Sequence, residues 1–219
     1  MNASSKPVRQ LALGILLTGA VASAIALEPT ATIGVEGRAN SYASLAASGR
    51  FAALVWGART SNDVTDIFVA TSTDGGRAFT APARVNAVAG DASLAGEQPP
   101  RIVLIPREKG SPSIVVVWTS RTPTGTRLLS ARSDNAGQSF GPAAPLPGSE
   151  ASGNRGWESV TTTRDGAVVA LWLDHRDSAS SGGKSTAMNH EEHQHLHSAT
   201  PTDGVARAQL SRLFFATLG

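Results

Sequence analysis

The sequence predicts an all-β chain of repeated four-stranded sheets, and three observations carry that expectation. Trp56, Trp118 and Trp172 each close an apolar run, and Arg59, Arg121 and Arg176 follow them at three or four residues. The tryptophans lie 62 and 54 residues apart, the spacing of one supersecondary unit plus its loops. Between the runs, 22 glycines and 12 prolines punctuate the chain at short intervals, as a protein with many tight turns requires.

Each unit reads as strand, turn, strand, loop, strand, turn, strand. In the first, Ser41–Ser48 alternates apolar and small residues, Gly49-Arg50 turns the chain, and Phe51–Trp56 is a continuous apolar run. A polar loop leads to a third strand over Ile67–Thr71, then a Gly-Gly turn, then a fourth over Pro82–Val88. The second unit repeats this with Arg101–Ile105, a turn at Lys109-Gly110-Ser111, Ile114–Trp118, Leu128–Arg132 and Pro142–Leu146. The third offers Trp157–Thr162, a turn at Arg164-Asp165-Gly166 and Val168–Leu173, and resumes after an insertion at Arg212–Gly219. Runs such as Ile-Val-Val-Val-Trp suit a strand covered on both faces, as the middle of a stacked sheet must be. A β-sandwich would show similar patterning and stands as the alternative.

The turn between third and fourth strands is the most specific feature. Ser72, Asp74, Gly76 and Phe79 fit the pattern Ser-x-Asp-x-Gly-x-x-aromatic at every defined position, and Ser133, Asn135, Gly137 and Phe140 fit with asparagine in place of aspartate. Such a turn needs a side-chain acceptor to cap backbone N–H groups and a residue that accepts positive φ. On these two motifs and the repeated Trp-x-x-Arg spacing, the chain resembles the sialidase-like Asp-box (BNR) repeat β-propeller family, from about Ile33 to the end. The resemblance implies four-stranded blades, about two and a half to three of an expected six. Blade one is expected over 33–90, blade two over 95–148 and blade three over 154–219, so the chain reads as a C-terminally incomplete member. Open blade edges would then offer a route to self-association. In the family the Asp-boxes are structural and lie away from the active site.

Members that are sialidases use an arginine triad, an aspartate acid and a tyrosine nucleophile assisted by a glutamate. Here the family's aromatic-Arg-Ile-Pro motif is missing; Pro100-Arg101-Ile102-Val103 echoes it, but after the first box instead of before it. The only tyrosine, Tyr42, comes early in the chain. No catalytic residue is carried over by motif. Position in the blades remains, since the start of each innermost strand should face the axial pocket. That selects Glu36, Arg38 and Tyr42, then Glu97 and Arg101, then Arg155, Trp157 and Glu158. Arg38, Arg101, Arg155 and Trp157 are the candidate ligand contacts, and Tyr42, Glu97 and Glu158 the candidate catalytic groups. Arg59, Arg121, Asp174 and Arg176 follow the second strands, where their repetition favours a structural role. The expected partner is a glycan or another small polar ligand. If active, the chain would be an exo-α-sialidase type of glycosidase, needing no cofactor.

Lys6 and Arg9 precede the uncharged stretch Leu11–Ala26, which ends in small-x-small sites, so residues 1–26 read as a cleaved signal peptide and 27–219 as the mature chain. Sixteen residues are short for a membrane span, so stable insertion is not expected after cleavage, although a retained anchor is the alternative. Periplasmic or secreted localisation follows. With 19 basic and 17 acidic residues there is no nucleic-acid footprint, and zero cysteines exclude disulfides, thiolate zinc sites and a catalytic thiol. An insertion over 177–203 breaks the third unit and carries Met188, His190, His193, His195 and His197. Those four histidines could hold copper or zinc, which makes periplasmic metal handling the rival function.

Overall fold

In a computed structural model, residues 32–177 and 211–218 are described. They form eleven strands in three antiparallel sheets. The first sheet runs β1 (Ala39–Ser48), β2 (Phe51–Arg59), β3 (Thr65–Ser72) and β4 (Ala83–Arg84) in chain order. The second repeats that order with β5 (Arg101–Ile105), β6 (Ser113–Thr122), β7 (Gly125–Ser133) and β8 (Ala144–Pro145). The third contains β9 (Arg155–Thr162), β10 (Val168–Asp174) and β11 (Arg212–Leu218), with β10 in the middle. The first strands of the sheets lie side by side, β5 against both β1 and β9. This is a stack of propeller blades with innermost strands together, not two sheets closed face to face.

Strand β6 shows why the apolar runs are continuous. Ile114, Val116 and Trp118 pack toward the first sheet, against Phe51, Val55, Ile67 and Val69. Val115 and Val117, on the opposite face, pack against Val168, Ala170 and Trp172 of the third sheet. Alternation of period two persists, but both faces are apolar because both are covered.

The fourth strands are shorter than the sequence predicts, two residues each. Pro82, Pro142 and Pro145 flank or occupy them, and a proline has no N–H to extend a ladder. They sit at the outer edge, where that loss is tolerated.

The outer face of the first sheet, with Trp56, Phe68 and Ala70, is covered by Ile33 and Val35. Arg38 lies over the Phe68 ring, 5.3 Å to its centroid, and its Nη1 pairs with Asp66 Oδ2 at 2.7 Å. The far face of the third sheet leaves Leu213 and Phe215 exposed.

Both Asp-box turns close alike. Ser72 Oγ donates to Asp74 Oδ1 (2.7 Å) and accepts from Gly76 N (2.9 Å), while Asp74 Oδ1 accepts from Arg77 N and Ala78 N. Ser133, Asn135, Gly137 and Ser139 repeat the arrangement. Gly137 has φ 82°, and a Cβ there would meet Thr71 Cγ2 at 2.8 Å, so glycine lets the second turn seat against the first sheet. Thr71 Oγ1 donates to Ala136 O across that seam (3.0 Å).

Candidate functional site

The site begins with two irregularities in the innermost strands. Along β1 the register passes from Ser41↔Gly57 to Ser44↔Val55, so Tyr42 and Ala43 together oppose Trp56. Along β9 it passes from Gly156↔Leu173 to Ser159↔Leu171, so Trp157 and Glu158 oppose Trp172. Both are β-bulges at equivalent places, and the first residue of each is left-handed: Tyr42 at φ 58° and Trp157 at φ 54°. Bulky residues avoid that region, at roughly 1–3 kcal/mol each, and such strain concentrates where a side chain must be aimed. In the second sheet the ladder starts at Arg101↔Val117, and the residues ahead of it are Pro99 and Pro100.

Tyr42 forms one wall of a cleft of about 580 Å³ between the first two sheets, lined also by Ser41, Arg59, Asp63, Ser93 and Arg121. Arg59 ends β2, and its Nη1 lies 3.2 Å from Asp63 Oδ1, with both side chains exposed. Arg121 Nη2 donates to Ser93 Oγ at 3.4 Å. Exposed pairs of this kind are weak, so both guanidiniums keep donors for a ligand. The third arginine of the series goes elsewhere. Arg176 pairs with Asp174 at 2.6 Å and lies over Phe214, because the residue three beyond Trp172 is His175.

Beside the cleft runs a ledge. The turn Ala95–Gln98, closed by Gln98 N donating to Ala95 O (3.0 Å), abuts Tyr42: a Cβ on Gly96 would stand 4.0 Å from Tyr42 Cε1. The next residue, Glu97, accepts a hydrogen bond from Trp157 Nε1 at 3.1 Å. The indole stacks on His175, centroids 5.4 Å apart and planes 13° from parallel, yet stays 40% exposed.

Of the residues selected from sequence, Tyr42, Glu97 and Trp157 come together here. Glu36 is exposed ahead of β1. Others turn inward. Arg155, expected to meet a ligand, is fully buried: Nε pairs with Asp174 Oδ2 at 2.9 Å, and Nη1 and Nη2 donate to the carbonyls of Thr126, Gly153 and Ser152. Arg38 is committed to Asp66. Arg101 Nε donates to the Glu158 carbonyl at 2.8 Å. Glu158, expected among the catalytic groups, has no exposed surface; burial pushes its carboxyl up, and Oε1 has no partner. Its Oε2 is 3.5 Å from Thr119 Oγ1. Arg59 and Arg121, read from their repetition as structural, line the cleft instead. Asp63 and Ser93 went unnoticed; an aspartate four residues beyond the Trp-x-x-Arg arginine was the available signal for the first. Residues 1–26 and the histidines 190, 193, 195 and 197 lie outside the described residues.

No protein-family model matches the chain, and no curated protein matches it. Among solved structures, the chain is similar to the GH93 alpha-L-arabinofuranosidase of Fusarium graminearum in complex with arabinobiose, at 14% identity and a TM-score of 0.42, over 64% of this chain and 42% of that one. It is also similar to the alpha-L-arabinanase of Penicillium chrysogenum complexed with arabinobiose, at 14% identity and a TM-score of 0.38, over 57% of this chain and 36% of that one. The chain thus spans less than half the length of either structure.

Proposed function

We propose that this is an exported, sialidase-like glycan-binding protein whose axial cleft takes a carboxylate-bearing sugar. The observation that carries the reading is that Arg59 and Arg121, each with only weak partners, line one cleft beside Tyr42. Two guanidinium forks suit a carboxylate, since charge-assisted and bidentate bonds are the strong ones. A ring held on a bulge gives the sugar a rigid apolar wall. Ser41 and Ser93 supply hydroxyl donors and acceptors around it, and Asp63, paired with Arg59, an acceptor only, the mix expected of a polar-ligand pocket.

The reading is confined to binding, because Glu158, one of the candidate catalytic groups, does not reach the cleft. Glycoside hydrolysis needs an uncharged acid and a second carboxylate on either side of the scissile bond. Glu158 has the raised proton affinity of an acid but is sealed beneath the sheet surface.

Calorimetric titration with the methyl α-glycoside of N-acetylneuraminic acid, methyl glucuronide and methyl glucoside tests this. At least one acidic glycoside should bind more tightly than the neutral one, and Arg59→Ala or Arg121→Ala should weaken it about tenfold or more. Acidic sugars that bind no better than methyl glucoside would overturn it.

A further inference from the structure

The geometry points to a second sugar subsite on the ledge, formed by Trp157 and Glu97, so that the ligand is a glycan of at least two units with its acidic sugar in the cleft. This inference rests on the reading of the cleft given above and extends it to the neighbouring residue of the ligand.

Three observations support the ledge as a built surface. Trp157 is held at φ 54° by the bulge in β9, an arrangement the strand would not adopt for packing, because the indole ends up 40% exposed. Its orientation is then fixed twice, by the Nε1 bond to Glu97 Oε2 and by the stack on His175, whose Nε2 lies 3.3 Å from Ser211 Oγ. And the ledge is continuous with the cleft, because Gly96 lies beside the Tyr42 ring, where an added Cβ would come within 4.0 Å of Cε1, and the next residue is Glu97.

The chemistry matches a pyranose. Such a ring has an apolar C–H face and a rim of hydroxyls, so an open aromatic surface takes the face and an adjacent carboxylate takes a hydroxyl. Glu97 is exposed and spends Oε2 on the indole, leaving Oε1 as an acceptor beside the ring. The two subsites differ in charge: the cleft presents the arginines that select the acidic unit, while the ledge presents the Glu97 carboxylate and suits a neutral one. Pinning the tryptophan before binding avoids the entropy of ordering it later.

Paired ligands test the proposal: 3′-sialyllactose against methyl α-N-acetylneuraminide, and cellobiouronic acid against methyl glucuronide. Within the acidic series that binds, the longer ligand should bind about tenfold more tightly. Trp157→Gly, whose backbone accepts positive φ, should remove that gain and leave the short ligand within twofold. Trp157→Phe should keep much of it. Equal affinity for long and short ligands in wild type, or a gain that survives Trp157→Gly, would overturn the ledge and leave the cleft intact. Failure of both short acidic ligands to bind would instead remove the cleft, and the ledge with it.

Discussion

Tyr42 and Trp157 occupy the same structural position in different sheets, each the first residue of a bulge opposite a buried tryptophan, and each left-handed. Nothing in the ladder requires an aromatic residue there. The ring is displayed at the expense of backbone strain, with Tyr42 41% and Trp157 40% exposed.

That strain has a measurable sign. In an ordinary strand, glycine is less stable than alanine by about 0.5–1 kcal/mol. At position 42 the order should invert, with Tyr42→Gly more stable than Tyr42→Ala by about 1 kcal/mol, because alanine must bear the left-handed conformation. Urea denaturation of the two variants checks this, and the usual order would show that the bulge relaxes without its ring.

Arg155 and Asp174 form a fully buried pair, and Asp174 also accepts from Trp172 Nε1 and from Arg176. Burial alone would raise the aspartate, but the bonds from Arg176 and Trp172 and the Arg155 charge outweigh it and hold the carboxyl at about 2. The folded value lies below the unfolded one, so this stability is present above about pH 4 and is lost as pH falls toward 2. Acid unfolding should therefore show a component in that window that Asp174→Asn lacks. Asp174→Asn should itself cost about 3–5 kcal/mol at pH 7, since Arg155 is left buried without its counter-charge.

Glu158 is predicted to behave in the opposite sense. Its carboxyl is raised by burial, so its favourable protonated state is complete below the unfolded value and is lost as pH rises. Glu158→Gln should raise the melting temperature at pH 8 and change it little at pH 4. A loss of stability at both values would mean that the carboxylate, not the acid, is the form the fold accommodates.

The Asp-box turns should separate stability from binding. Ser72→Ala and Ser133→Ala each remove a buried hydroxyl that both donates and accepts within its turn, at about 1 kcal/mol apiece. The first turn follows the end of β3, whereas the cleft touches its start at Thr65; the eight residues of that strand put roughly 20 Å between them. Affinity for an acidic glycoside should stay within twofold of wild type while the denaturation midpoint falls.

The repeated sheets were legible because each depends on local signals: an apolar run, a turn motif, a proline at an edge. The two-sided burial of β6 follows directly from its Ile-Val-Val-Val-Trp run. The bulges were not legible, since a bulge is a relation between two strands, and neither Ser41-Tyr42-Ala43 nor Gly156-Trp157-Glu158 announces it alone. Arg155 and Arg101 illustrate a second limit. An arginine at the start of an innermost strand looks the same whether it faces a pocket or a buried aspartate, and Asp174 lies nineteen residues away from Arg155. Arg59 and Arg121 reach one cleft only because the sheets stack, which their sequence repetition disguised as a structural pattern.

Strand β6 keeps Trp118 and Val117 on opposite sides, each buried against a different neighbour. Losing or gaining a single residue there would swap every side chain between the two seams at once, setting the indole where a valine belongs. The strand can thus drift in composition over generations but not in length, and changes of length must accumulate in the connecting loops, where the cleft residues Asp63 and Ser93 and the ledge residue Glu97 are found.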